Sequence, residues 1–239
     1  MLRVCNNEVR LMYIVQNIKR LSQRIEDSAH RVRRDPKSIR LVAVTKNVRV
    51  EGIIEAAKAG VDTFGENYAQ ELRDKYIKVG KAVGREVKWH FIGRIQKNKV
   101  KYIVGNVELI QSLDSIKIAE EINRRAEWLR TNVPVLIEVN ADEEQKGGVK
   151  HRAIEEFLEI LEKYPNIIAK GLMIMPPYSE EKEMARPYFK GLRELRDKLQ
   201  RNSPEIIELS MGMSEDFEVA IEEGATILRI GTAIFGPRA

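Results

Sequence analysis

From residue 41 onward the chain alternates between short apolar runs rich in β-branched residues and longer amphipathic stretches, and it does so eight times. The runs are Leu41–Thr45, Thr63–Gly65, Val87–Ile92, Glu108–Ser112, Val133–Val139, Ile168–Met173, Ile206–Leu209 and Thr226–Ile230. Between them apolar residues recur at helical spacing, as in Ile154, Phe157, Leu158 and Leu161, or Met184, Tyr188, Leu192, Leu195 and Leu199. Strands that alternate with helices pair in parallel through right-handed crossovers, and near-continuous apolar strands are buried on both faces. Eight such units predict an α/β protein, a single (β/α)8 TIM barrel, in preference to an open sheet.

The length of 239 residues falls in the range of roughly 200–250 that one such barrel occupies. Ahead of the barrel, Ile14, Ile18, Leu21, Ile25, Ala29 and Val32 recur every three or four residues, which predicts an extra N-terminal helix that Asp35-Pro36 stops. No Ser/Gly-rich linker or change of composition divides the rest of the chain. The expected organisation is one domain over 1–239, with the helix in 1–36 and the barrel in 41–236.

Charge narrows the function classes. Lys and Arg number 41 against 36 Asp and Glu, for a net charge of +5, and both signs are spread along the whole chain. A nucleic-acid groove would concentrate its basic residues on one face. The densest basic stretch, GRIQKNKVKY, carries Arg94, Lys97, Lys99 and Lys101, but Tyr102 is its one stacking surface, so a solvated helix face is the expected reading. The lone cysteine, Cys5, permits no intrachain disulfide and no cysteine-based metal site. The three histidines, His30, His90 and His151, are not spaced like metal ligands. No apolar run approaches the ~18 residues of a membrane helix, and the start MLRVCNNEVR lacks a signal-peptide core. A cytoplasmic protein without nucleic-acid or membrane partners is expected.

In a (β/α)8 barrel the chemistry collects in the loops at the carboxyl ends of the strands. The first strand ends at Lys46, which is either a solvated charge or a Schiff-base amine at an apolar lip. The second supplies Gly65, Glu66 and Asn67, the third His90, the fifth Asn140. In the sixth, Met173 and Met175 read as core filling. The seventh and eighth are followed by LSMGMSED and RIGTAIFG, which bring Ser210, Gly212, Ser214, Gly231 and Thr232 to one edge of the mouth. Loops in these two positions, with a helix N-terminus, form the usual phosphate site of the fold, because small residues let backbone N–H groups approach an anion. Ser214 could equally cap the next helix, and Glu215 and Asp216 in that helix's first turn would have to point away from an anion.

The runs AVTKNV, FGENYAQEL, WHFIGRIQKNK, VLIEVN with EEQKGGV, GLMIMPP, LSMGMSEDFEVAI and RIGTAIFG occur in order over nearly the whole chain. They resemble the pyridoxal 5′-phosphate (PLP) homeostasis protein family, whose barrel is that of the alanine racemase N-terminal domain, a fold type III PLP barrel. Where related sequences usually read SKTKP and GPLQ, this one has TKNVR and GRIQ. The resemblance implies that PLP is the cofactor, that Lys46 holds it as an internal aldimine, and that Asn67 and His90 line the ring's surroundings. It further implies that Met213 contacts the cofactor, that Ser210, Ser214, Gly231 and Thr232 hold the phosphate, and that Arg229 faces the pyridine nitrogen.

The implied function is to hold PLP, limit the free aldehyde and pass it to PLP-dependent apo-enzymes, as a monomer or weak dimer. The alternative is a PLP-dependent amino-acid racemase. A racemase needs a second base opposite the lysine, supplied in that fold by an appended β-domain, and here nine residues follow Ile230. A guanidinium beside the pyridine nitrogen also weakens the ring as an electron sink. A third reading, an aldolase-like Schiff-base enzyme without PLP, would leave the protein colourless. The expectation is a carrier and not an enzyme.

Overall fold

The computed structural model describes residues 2–141 and 147–237, with side chains from residue 12 onward. Cys5 and the Glu143–Lys146 part of the EEQKGGV motif therefore lie outside the described residues and side chains. Eight parallel strands close on themselves: β1 (Arg40–Val44), β2 (Thr63–Glu66), β3 (Lys88–Phe91), β4 (Leu109–Leu113), β5 (Val133–Val139), β6 (Ile167–Ile174), β7 (Glu208–Ser210) and β8 (Ile227–Ile230), with β8 paired back to β1. The helices between them are α2 (Val50–Lys58), α3 (Ala69–Val83), α4 (Val100–Ile103), α5 (Ile116–Leu129), α6 (Ile154–Leu161), α7 (Arg186–Leu199) and α8 (Phe217–Glu222), and a short α9 (Thr232–Phe235) follows β8. The expected TIM barrel is the fold of this chain.

Alternation along the strands divides the apolar residues between two cores. Val42, Leu109, Leu136, Met173 and Ile227 fill the lumen, while their neighbours Ala43, Ile110, Val135, Ile137, Leu172 and Leu228 pack outward against the helices. At the amino end the lumen is closed by charge: Arg40 faces Glu108 and Glu208 at 3.7 and 3.9 Å, and Lys88 pairs with Glu108 at 3.2 Å. The carboxyl end is left for the site.

The N-terminal helix α1 (Leu2–Arg31) buries Ile14, Ile18, Leu21, Ile25 and Ala29, the stripe read from the sequence, against α2, α8 and α9. Each of the four larger side chains contributes about 1.5–3 kcal/mol by leaving water. The helix ends before Asp35, because Arg33 turns into the left-handed region at φ 57° and Arg34 N–H donates to Ala29 O. The Arg34 guanidinium then donates to Ile221 O and Ala225 O, both at 2.8 Å, and locks the end of α1 to the turn before β8.

Candidate functional site

Closing the barrel brings the ends of β1, β2, β7 and β8 to one rim, and with them most of the residues singled out from the sequence. The β1–β8 register pairs Ala43 with Ile230, so Val44 stands beside Gly231 and Lys46 lies two residues further on. An ideal Cβ on Gly231 would sit 3.4 Å from Val44 Cβ, which is ordinary contact, and its φ of −115° is open to any residue. Smallness beside β1, not backbone freedom, is what this glycine supplies. Gly212 differs: its φ is +94° and a Cβ there would meet Ala220 Cβ at 2.6 Å, so the loop after β7 needs glycine for both reasons.

The two loops are joined directly. Ala233 N–H donates to Ser214 Oγ at 3.1 Å. Ser214 thus caps α9 across the rim and not its own α8, which begins at Phe217. Asp216 precedes that helix instead of occupying its first turn, and its buried carboxylate accepts from Met213 N–H at 2.6 Å. Burial pushes the Asp216 carboxyl up, against the Met213 bond and the Arg229 charge that hold it down. Glu215 points to solvent. What remains at the junction are the N–H groups of Ser214, Gly231 and Thr232, which take no intramolecular partner among the described residues. Three unspent donors on small residues can receive an anion.

Beneath the rim a polar chain crosses the lumen. Arg229, from β8, donates through Nη1 to Ser210 Oγ at 2.5 Å and through Nη2 to Ile174 O at 2.8 Å. Ser210 donates to Gln111 Oε1 at 2.6 Å, and Gln111 Nε2 donates to His90 Nδ1 at 2.7 Å. The imidazole therefore carries its proton on Nε2, a buried donor with no partner in the described structure. Burial first, then the charges of Arg40 and Lys88, hold His90 neutral with a pKa of about 3. Burial also lowers Arg229, to about 10, against the charges of Glu138 and Asp216, so it stays a cation at neutral pH. Ser210 spends its one proton on Gln111 and braces the site from below instead of offering the rim a free donor.

Lys46 is half-buried, and its Nζ lies over the Tyr68 ring, 5.2 Å from the centroid. It borders an open cleft of about 600 Å³ shared with Asn67, Tyr68, Arg94 and Lys99. A second cavity of about 200 Å³ adjoins it, lined by Asn67, Arg94, Asp114, Glu138 and Met175. Met175 is 37% exposed there, and so is not the core filler expected, whereas Met173 is fully buried in the lumen. Asn67 Oδ1 is buried without a partner among the described residues. Arg94 is exposed as expected, but it stands in the loop after β3 and not on a helix, where it borders both cavities, and Lys99 and Lys101 lie 5.9 and 5.0 Å from the Tyr102 ring centroid. Burial raises both Asp114 and Glu138, the charge of Asp114 adding to the rise at Glu138 and Arg94 opposing it at both.

Gln111, Glu138 and Lys75, the buried partner of Glu66, escaped the sequence reading. Two carried signals: Glu138 interrupts the apolar strand VPVLIEV, and Lys75 falls on the buried stripe of Leu72 and Val79. Among the described residues no group of His, Cys, Asp and Glu could hold a metal ion, and no helix is long and apolar enough to cross a membrane.

A family model described as the alanine racemase N-terminal domain matches residues 13–239. The chain is 46% identical to the pyridoxal phosphate homeostasis protein of Aquifex aeolicus, over 95% of this chain and 99% of that one. It is 38% identical to the protein of the same name from Vibrio alginolyticus, over 94% and 97%. Among solved structures, PipY of Synechococcus elongatus PCC7942 with PLP bound superposes with a TM-score of 0.78 at 31% identity, covering 89% of this chain and all of that one.

Proposed function

This chain belongs to the pyridoxal phosphate homeostasis protein family, and from that premise we propose that it binds PLP at the rim and serves as an intracellular carrier of it. PLP, when bound, supplies an aldehyde that an amine can take covalently and a phosphate that anchors the molecule. The observation that carries the reading is the set of unspent N–H donors on Ser214, Gly231 and Thr232, one strand away from Lys46. Those donors would hold the phosphate, and Lys46 would hold the aldehyde end. Met213 and Asn67 would border the ring, His90 would offer its Nε2 proton from the floor, and Arg229 would present a cation to the ring nitrogen. Ser210 would support Arg229 and reach the phosphate only by releasing Gln111.

The relatives are named for homeostasis and not for a reaction. The racemase alternative needs a second base facing Lys46. His90, with a pKa near 3, is too weak a base for that work. The Tyr68 ring lies against the lysine amine itself. On this reading the whole chain is one PLP-binding domain that works in the cytoplasm as a monomer or weak dimer, and PLP-dependent apo-enzymes are its recipients.

Purified protein loaded with PLP and reduced with borohydride should carry the pyridoxyl group on the peptide containing Lys46. Label recovered mainly on another lysine, such as Lys146, would overturn the assignment, and a preparation that stays colourless with PLP would favour the aldolase-like reading.

A further inference from the structure

We infer that the Glu66, Lys75 and Glu71 side chains form a clamp that sets the position of the Lys46 amine. The inference rests on the proposal that Lys46 is the residue that takes PLP, and it names three positioning residues which that proposal does not include.

Lys46 is the second residue of a tight turn closed by Val48 N–H to Thr45 O at 2.9 Å. The third residue, Asn47, has φ +59°, a conformation that Asn tolerates better than other side chains. A lone turn of this kind leaves a long lysine side chain free to wander. Here the backbone on both sides of Lys46 is bonded to one cluster. Lys75 Nζ donates to Thr45 O at 2.7 Å, the Thr45 hydroxyl donates to Glu66 Oε2 at 2.8 Å, and Asn47 N–H donates to Glu71 Oε2 at 3.1 Å. Lys75 is itself held by Glu66 at 2.9 Å and by Glu71 at 2.5 Å.

The same cluster holds the surface on which the amine rests. Glu66 Oε1 accepts from Asn67 N–H at 2.8 Å and from Tyr68 N–H at 3.3 Å. The Tyr68 ring is the one beneath Lys46 Nζ. One buried carboxylate therefore ties the turn that carries the lysine to the loop that carries its platform.

Stability alone is a poor reason for this arrangement. Glu66 is fully buried and Lys75 nearly so, and apolar residues of the same volume commonly serve as well or better than a buried ion pair. Fixing four peptide groups around one reactive amine is something that apolar packing cannot do.

The test uses the full-length protein with Glu71→Ala, which removes the acceptor for Asn47 N–H, and Glu71→Gln, which keeps an acceptor oxygen. Glu71 is partly exposed, so both variants should fold, and thermal melting checks that they do. Lys75→Met is the harsher third variant. The first readout is amide hydrogen exchange at Asn47 in protein free of PLP, expected to quicken in Glu71→Ala and to stay near wild type in Glu71→Gln. The second is borohydride-trapped pyridoxyl label on the Lys46 peptide per folded molecule, expected to fall about tenfold or more in Glu71→Ala, within the roughly hundredfold that a 1 Å misplacement of a reactive group can cost, and to be rescued in Glu71→Gln. Lys46 labelling within twofold of wild type in folded Glu71→Ala overturns the clamp, as does an equal loss in the Ala and Gln variants, which would make it an effect of charge. If wild-type protein takes no label on Lys46, the PLP proposal fails instead, and the Asn47 exchange still reports on the clamp.

Discussion

Arg229 donates a 2.5 Å hydrogen bond to Ser210, the last residue of β7, and with its other nitrogen reaches Ile174, the last residue of β6. The β7–β8 seam registers a single residue pair, Ser210 with Ile227, so one guanidinium staples the thinnest joint of the barrel. It also places a cation under the rim. Arg229→Leu should therefore act twice. It leaves the buried Ile174 carbonyl without its donor and removes the positive charge that opposes the rise of Glu138 and Asp216, at a cost of about 1–3 kcal/mol in unfolding free energy for the orphaned carbonyl. Denaturant melts measure that loss. Whatever folds should also show a shifted visible band with PLP, since the cation proposed to face the ring is gone; an unshifted band would remove Arg229 from the site.

Gly231 and Gly212 should respond differently to the same substitution. Gly231→Ala places a methyl at ordinary contact distance from Val44 and should fold and retain PLP. Gly231→Val adds branches against Val44 and should push the loop off its donors and loosen PLP retention about tenfold, roughly one good charge-assisted hydrogen bond. Gly212→Ala meets Ala220 at 2.6 Å with φ +94° and should destabilise the fold by about 1–3 kcal/mol. Equilibrium dialysis of PLP and melting curves separate the two effects. A crystal structure with the phosphate beside Asn140 would refute the placement.

His90 gives the fold an acid sensitivity. Its pKa is about 3 when folded and about 6.5 when unfolded. Between those values the unfolded state binds the extra proton, so stability falls as pH drops from about 6.5 towards 3 and is unaffected by this group above that window. The slope from one such group reaches about 1.4 kcal/mol per pH unit. His90→Asn should flatten the dependence of the melting temperature on pH between 6 and 4. An equally steep profile in the variant would show that other groups govern acid unfolding.

Amino acids should exchange with bound PLP without being turned over. L-alanine in heavy water should keep its α-proton signal in the presence of loaded protein, because on the proposed placement Lys46 would offer a base on one face and neither His90 nor Tyr68 would supply one on the other. Catalytic loss of the NMR signal, abolished by Lys46→Ala, would move the protein to the racemase class.

The strands were legible in the sequence because each is short, apolar and β-branched, and their observed limits lie within a residue or two of the expected ones. At β7 the strand begins at Glu208 and not at Ile206, because Ile206 N–H is drawn into a turn with Ser203 O. The rim residues were legible for a topological reason, since a closed parallel barrel puts the ends of all its strands on one side. Lys46, Asn67, Ser214, Gly231 and Thr232 could thus be grouped from strand order alone.

Tertiary structure alone decided what those residues are bonded to. Ser210 meets Gln111 from 99 positions away, and Arg229 meets Ile174 from 55. The clamp on Lys46 joins a turn after β1 to a lysine on α3, 30 positions from the Thr45 it holds. Hydrophobic periodicity tells which face of an element is buried, but it carries no information about which polar group stands opposite across the lumen. Partners are fixed by strand register and barrel closure, and these arise only when all eight strands have paired.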